Sequence, residues 1–299
     1  MRRLVPIAIV FALLPACSVK KYAIKQVGSS LSNMGGTFAS DNDPELIRAA
    51  VPFSLKLIEG LLEQTPNDVS LLAAANSGFT QYAYGFAHLD ADEIADRDPA
   101  AAAALRERAT KLYRRGRDYG LRALSVKNPG FPDQLKANPK EAAKKLTLKD
   151  VPVMYWTAVS WAGALSASRD VFMLPEIPRF EALIERALEL NESYDDGALH
   201  SFMIAFEMAS PTRRGDKAAR AKQHFEHAVE LSKGHMAGPY VAYAENVAVP
   251  AKDRAEFDAF LKKALAVDVN ADPSHRLQNL LLQRRARWLQ SRADKLFPK

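Results

Sequence analysis

Apolar residues recur every three to four positions along most of the chain, which is the spacing of amphipathic helices. The first clear helix is predicted to begin at Asp43-Pro44, because aspartate accepts backbone N–H groups as an N-cap and proline fits the first turn. It is predicted to end before Pro66, with apolar positions at Leu46, Ala50, Phe53, Leu57, Ile58, Leu61 and Leu62. The same spacing predicts further helices at 69–89, 100–126, 140–145, 152–168, 177–190, 193–209, 216–232, 238–247, 253–267 and 273–297. Since no run of four or more residues alternates as a strand does, the predicted fold class is all-α.

Five of these helices end alike, with two apolar or small residues three positions apart and then a turn. The pairs are Ile58 and Leu61, Gly120 and Ala123, Ile184 and Ala187, Phe225 and Ala228, and Leu261 and Ala264. This ending resembles the second helix of a tetratricopeptide hairpin, and the late pairs recur near that repeat's period of about 34 residues. Any alanine-rich helix shows one such pair, so the prediction of a helical-hairpin superhelix with degenerate tetratricopeptide-like repeats depends on all five. The basic last helix is predicted to be a solvated cap.

The N-terminus has the pattern of an export signal, with two arginines, a short apolar run and small residues before Cys17. The apolar run is too short to span a bilayer. Leu14-Pro15-Ala16-Cys17 resembles the bacterial lipobox, in which the cysteine becomes the acylated first residue of the mature protein, although Pro15 is an unusual residue at its position. A plain secretory signal with an incidental cysteine is the alternative.

The sequence therefore predicts a lipoprotein signal peptide at 1–16, a lipid anchor and tether at 17–40, and a single tetratricopeptide-like helical domain at 41–299. Ser18, rather than aspartate, follows the cysteine. By the usual bacterial sorting pattern this favours the outer membrane, with the body of the protein in the periplasm.

Composition narrows the function classes. Hydrophobic residues make up 48% of the 299 residues, which suits a folded chain with a sizeable core. A single cysteine excludes an internal disulfide and a multi-cysteine zinc site. The net charge of +6 would suit a nucleic-acid partner. We expect no such partner, because Arg2 and Arg3 leave with the signal and an exported protein does not meet nucleic acid.

Motifs for catalysis and metal binding are weak. The sequence has no glycine-rich phosphate loop and no Gly-x-Ser-x-Gly elbow. The nearest metal motif is His224-Phe225-Glu226-His227, but a metal would need a third ligand and groups supporting the ligands. A histidine pair at a helix surface or end is favoured, and no metal or cofactor is predicted.

Carboxylates offer two enzymatic alternatives. Asp195-Asp196 could act as an acid–base pair, but the following Gly-Ala-Leu favours a helix start, where negative charge is stabilised. Glu207 or Glu245 could be the lone acid of a peptidoglycan-cleaving superhelix, although nothing beside either residue supports this. The protein is predicted not to be an enzyme.

Aromatic and small polar residues cluster on the predicted first helices of hairpins, which line the concave binding surface of a superhelix. Ordinary core packing is the alternative for any single ring. Because Tyr and Trp carry polar groups that need partners, their grouping with amides favours a lined cleft. The predicted ligand or partner cleft comprises Phe79, Gln81, Tyr82, Tyr84, Trp156, Trp161, Tyr240, Tyr243 and Asn246.

Several segments resemble the T-component lipoproteins of TRAP (tripartite ATP-independent periplasmic) transporters, notably Gly78-Phe79-Thr80-Gln81-Tyr82 and Tyr194-Asp195-Asp196-Gly197-Ala198-Leu199-His200. The resemblance runs from about residue 40 to 297. It implies a non-enzymatic periplasmic lipoprotein of helical hairpins, a homotrimer with a pore or cleft through each protomer. It also implies docking to a TRAP substrate-binding (P-type) protein and, by our inference, passage of a small organic or apolar ligand. A scaffold lipoprotein for envelope assembly and a peptidoglycan-active enzyme remain the alternatives.

Overall fold

The computed structural model describes residues 35–298. The predicted signal peptide, Cys17 and most of the predicted tether lie outside these residues. The α-helices are α1 (Gly35–Ala39), α2 (Pro44–Gln64), α3 (Val69–Ala83), α4 (Leu89–Ile94), α5 (Pro99–Lys127), α6 (Phe131–Ala137), α7 (Pro139–Lys144), α8 (Val151–Ser168), α9 (Ile177–Leu190), α10 (Ala198–Ala209), α11 (Lys217–Leu231), α12 (Gly238–Tyr243), α13 (Arg254–Ala266), α14 (Arg276–Ser291) and α15 (Ala293–Leu296). Two π-helical segments (Tyr84–His88 and Ala244–Ala248) and four 3₁₀ helices (Leu148–Asp150, Val171–Glu176, Tyr194–Gly197 and Pro273–His275) complete the secondary structure.

The all-α prediction is confirmed, since residues 35–298 contain helices and no strand. Helices adjacent in the chain pack on one another, and α14 returns to contact α1 and α2, so the last long helix meets the first ones. Within the described part of the chain, no helix combines the length and apolar character needed to cross a membrane. Whether the hairpins are of the tetratricopeptide type stays a prediction.

Aspartates fix many helix starts. The side chain of Asp43 accepts hydrogen bonds from the N–H groups of Glu45 and Leu46, as predicted, and α2 ends at the predicted position. Such a cap contributes about 0.5–2 kcal/mol to helix stability. The same role is taken at other starts by Asp68, Asp98, Asp216 and Asp253.

The apolar stripe predicted for α2 is partly wrong. The helix buries Ile47, Val51 and Leu55, together with Ile58 and Leu62. Three residues of the predicted stripe instead face outward, Leu46, Phe53 and Leu57, with Phe53 73% exposed. Both rows have helical spacing, so periodicity alone could not choose between them.

Other helix predictions need correction. The predicted helix 193–209 begins only at Ala198, because Asp195 (φ 48°), Asp196 (φ 51°) and Gly197 (φ 85°) adopt left-handed backbone conformations. Helices predicted at 69–89 and 238–247 each contain a π-helical segment, and the predicted last helix is interrupted near Arg292. Helix α6 was not predicted, because its seven residues are too few to show a period.

Helices α3, α5 and α8 pack unusually closely through small residues. A Cβ added to Gly120 of α5 would lie 2.0 Å from Thr157 Oγ1 and 2.9 Å from Asn76 Nδ2. One turn earlier, the carbonyl oxygen of Gly116 accepts a 2.9 Å hydrogen bond from Asn76 Nδ2. This close contact fixes the positions of α3 and α8, which carry several of the predicted cleft residues.

We expect Gly120→Ala to lower the free energy of unfolding by about 1–3 kcal/mol, the usual cost of overpacking a dense interior. Gly60→Ala is the matched control, because Gly60 is exposed within α2 and nothing lies within 4 Å of an added Cβ. That substitution should stabilise the protein by about 0.4–1 kcal/mol. Urea unfolding followed by circular dichroism measures both, and equal effects of the two changes would contradict the close-packing assignment.

Candidate functional site

A cavity of about 810 Å³ lies among the helices. This volume is within the usual range of about 300–1,000 Å³ for small-molecule pockets. Helices α2, α3, α8, α10, α12 and α14 all contribute side chains to its wall. Much of that wall is apolar, including Val51, Leu55, Val159, Phe202 and Leu281.

The two π-helical segments place polar side chains at the cavity. Tyr84 and His88 come from the first segment, and Glu245 and Asn246 come from the second. A π-helical turn carries one extra residue per turn and is frequent at functional sites, because it redirects side chains relative to a regular helix. Tyr84 of the first segment and Glu245 of the second both lie near Arg285 of α14.

Arg285 is the centre of a buried ion-pair network. Its side chain is only 9% exposed, and it donates to Asp92 at 3.0 Å and to both carboxylate oxygens of Glu245. Asp92 also accepts from Arg106 at 3.0 Å. Burial alone would raise the pKa of Asp92, but the neighbouring positive charges, first that of Arg285, hold it below its usual value.

Further basic residues of the C-terminal segment bind the acidic stretch at 90–96. Arg284 donates to Asp90 at 2.7 Å and to Glu93 at 2.6 Å, and Lys295 donates to Asp96 at 2.8 Å. The prediction of a solvated cap is therefore wrong for Arg285. Helix α14 instead forms ion pairs with the segment that contains α4. The sequence showed the charges but not their partners, which lie about 190 residues away along the chain.

Burial determines the protonation states of Tyr84 and His88 in the cavity wall. Tyr84 keeps 38% of its surface accessible and lines the cavity, yet enclosure by protein raises its pKa to about 12. Burial also lowers the pKa of His88, whose Nδ1 lies 3.3 Å from the Tyr113 hydroxyl. Both side chains are therefore uncharged at neutral pH.

The structure brings five of the predicted cleft residues to the cavity. They are Gln81, Tyr82, Tyr84, Trp156 and Asn246. Sequence reasoning missed Arg285, Asp92 and Phe86, which share this wall. The acidic residues in 90–96 were the one sequence signal for these missed residues, but their spacing does not show which basic side chains they contact.

The other four predicted residues lie outside the cavity wall and make packing contacts. Phe79 stacks on Tyr119, with ring centroids 5.9 Å apart. The indole N–H of Trp161 donates to Glu176 at 2.5 Å. Tyr240 and Tyr243 both pack against Phe225 and Phe260.

The carboxylates considered for catalysis are all engaged. Glu207 is buried and accepts from Arg220 at 2.8 Å, and Glu245 is held by Arg285. Asp195 lies 3.2 Å from His275 Nε2, so this contact accompanies the left-handed turn that replaces the predicted helix start. Glu207, Glu245 and Asp195 therefore each have a basic partner, and ion pairing accounts for their positions.

One comparison with known proteins identifies a family, and a second finds a relative over nearly the whole chain. A family model described as "TRAP transporter T-component" matches residues 40–297. A protein of Treponema pallidum (strain Nichols), described as uncharacterized, is 28% identical over 304 residues. That alignment covers 95% of this chain and 94% of the relative.

We expect Arg285→Leu to lower the free energy of unfolding by about 3–5 kcal/mol, because it leaves Glu245 without its partner in a buried network. Arg287→Leu is the matched control, since Arg287 is exposed on the same helix and should change stability by less than about 0.5 kcal/mol. Chemical unfolding measures both. A loss no larger for Arg285→Leu than for Arg287→Leu would show that the network does not stabilise the fold.

Proposed function

The chain belongs to the TRAP transporter T-component family, and from this premise we propose that it is a periplasmic, non-enzymatic accessory that docks a TRAP substrate-binding (P-type) protein. We further propose that it exchanges a small organic or apolar ligand with that protein through the cavity. Membership in the family gives the accessory role in TRAP transport. The docking and the ligand exchange are the proposal.

The observation that carries the proposal is the composition of the cavity wall. Apolar side chains dominate it, and the uncharged Tyr84 and His88 add hydrogen-bonding groups. The buried cation Arg285 is already matched by Asp92 and Glu245. Such a wall suits a ligand with substantial apolar surface and a few polar atoms.

We propose that the protein is a homotrimer, and the exposed row on α2 offers a contact surface between its subunits. Leu46, Phe53 and Leu57 form an apolar strip on an outward face of the helix. Large apolar side chains grouped on a surface are typical of protein–protein contacts. We propose that subunits associate through surfaces of this kind.

The ligand prediction is tested with the fluorescent probe 1-anilinonaphthalene-8-sulfonate. Trp156 lines the cavity and is only partly buried, so Trp156→Ala should weaken probe binding about tenfold or more while the protein stays folded. Tyr240→Ala removes an aromatic ring outside the cavity wall and should leave probe binding unchanged. Thermal melting of both variants separates loss of binding from loss of folding.

Two outcomes would contradict this part of the account. One is equal probe affinity of the parent chain and Trp156→Ala. The other is the absence of a complex between the full chain and its cognate substrate-binding protein at micromolar concentrations, which would remove the docking step whatever the cavity binds.

We also propose that Cys17 is diacylated and anchors the protein to a membrane, with the outer membrane favoured by Ser18. A single acyl chain binds a bilayer only marginally, so stable anchoring requires more than one. The full chain should incorporate labelled fatty acid and sediment with membranes, whereas Cys17→Ser should do neither. An unlabelled parent chain that stays in the soluble periplasmic fraction would refute the anchor.

A further inference from the structure

The ionised side chains in the middle of the cavity wall are matched in charge. Arg285 is paired with Asp92 and with Glu245, and Arg106 is paired with Asp92. This group contains two arginines and two carboxylates, so it carries no net charge. The wall therefore presents no free positive or negative charge at this point, although four ionised groups line it.

The remaining ionised groups of the wall lie elsewhere on it. Asp195 and His275 form a second pair, with Asp195 Oδ1 3.2 Å from His275 Nε2. The hydrogen bond with Asp195 raises the pKa of His275 to about 9 against the opposing effect of burial, so the two groups are oppositely charged at neutral pH. Arg169 is the exception, but it is exposed at the C-terminal end of α8 and is solvated by water.

A charged ligand would have to disturb the group around Arg285. Burying a carboxylate or an ammonium group without a partner of opposite charge is costly. A ligand carboxylate could gain a full ion pair with Arg285 only by displacing Asp92 or Glu245, and the displaced carboxylate would then lack its own partner. The arginine side chain is only 9% exposed, so water cannot readily compensate for that loss.

Uncharged polar groups are available to a ligand in the same wall. Gln81, Tyr84, Asn246 and Gln278 all line the cavity. The Nδ2 atom of Asn246 donates to the carbonyl oxygen of Ala242 at 2.9 Å, which leaves its Oδ1 atom as an acceptor. Amide and hydroxyl groups can both donate and accept hydrogen bonds. They suit hydroxyl, ether or amide groups on a molecule that is otherwise apolar.

We propose that the cavity selects an uncharged amphipathic ligand and that Glu245 is a specificity-determining residue, because it keeps Arg285 from binding a ligand carboxylate. This selectivity rests on the proposed function, since it requires that the cavity hold a ligand. Specificity of this kind comes from penalising the wrong ligand as much as from contacts with the right one. Glu245 is well placed for it, because its π-helical segment turns it toward α14.

Two fluorescent probes with the same ring system test the proposal, the uncharged N-phenyl-1-naphthylamine and the anionic 1-anilinonaphthalene-8-sulfonate. The mature chain carries Cys17→Ser, because a chain without lipid needs no detergent, and detergent would compete with the probes. We expect the parent to bind the uncharged probe at least about tenfold more tightly than the anionic one.

Glu245→Gln separates charge selection from the greater apolar character of the uncharged probe. This change leaves Arg285 with one carboxylate partner, so it should reduce the preference for the uncharged probe about fivefold or more. Glu63→Gln is the matched control, since it removes the same charge from an exposed position on α2 and should keep the parent's preference. Thermal melting shows whether each variant is folded.

The outcomes distinguish this proposal from the one on which it rests. Binding of neither probe to the folded parent would overturn both, because the cavity would then hold no ligand of this kind. Binding of both probes, with the anionic probe bound as tightly as the uncharged one or more tightly, would overturn the charge selectivity alone. An equal preference in the parent and in folded Glu245→Gln would remove Glu245 from its role. The parent comparison decides the ligand class even if Glu245→Gln does not fold.

Discussion

The ion pairs of Arg285 join the last long helix, α14, to two distant parts of the chain beside the cavity. Arg285 belongs to α14, and its partner Asp92 lies about 190 residues earlier in α4. Glu245, its second partner, comes from a π-helical segment. A buried arginine is costly to desolvate unless its donors are all matched, so each of these residues constrains the others. The cavity wall is arranged around this network.

The cavity wall departs from regular helices at the two π-helical segments beside this network. Each π-helical segment inserts an extra residue into its turn, and together they place Tyr84 and Glu245 near the same guanidinium group. The close packing of α3, α5 and α8 at Gly116 and Gly120 fixes the helices that carry Gln81 and Trp156. The cavity is thus bordered both by closely packed helices and by the ion pairs of Arg285.

The sequence was informative where the structure depends on local chemistry. Asp43-Pro44 marked a helix start correctly, because capping involves residues two or three positions apart. It was uninformative where distant residues meet: Arg285 read as surface charge, and α2 offered two apolar rows of which the wrong one included Phe53. Among the aromatic residues, Trp156 reached the cavity and Trp161 did not, although both have helical spacing on α8. Only the packing of neighbouring helices separates a lining ring from a core ring.

We propose that the cavity is the place where this T-component meets its partner's ligand. Hydrogen–deuterium exchange tests it most directly, by comparing the chain alone, with empty substrate-binding protein and with ligand-loaded substrate-binding protein. We expect extra protection of both π-helical segments, Tyr84–His88 and Ala244–Ala248, only with the loaded partner. Unchanged exchange in both segments under all three conditions, with protection confined to outer surfaces, would contradict it.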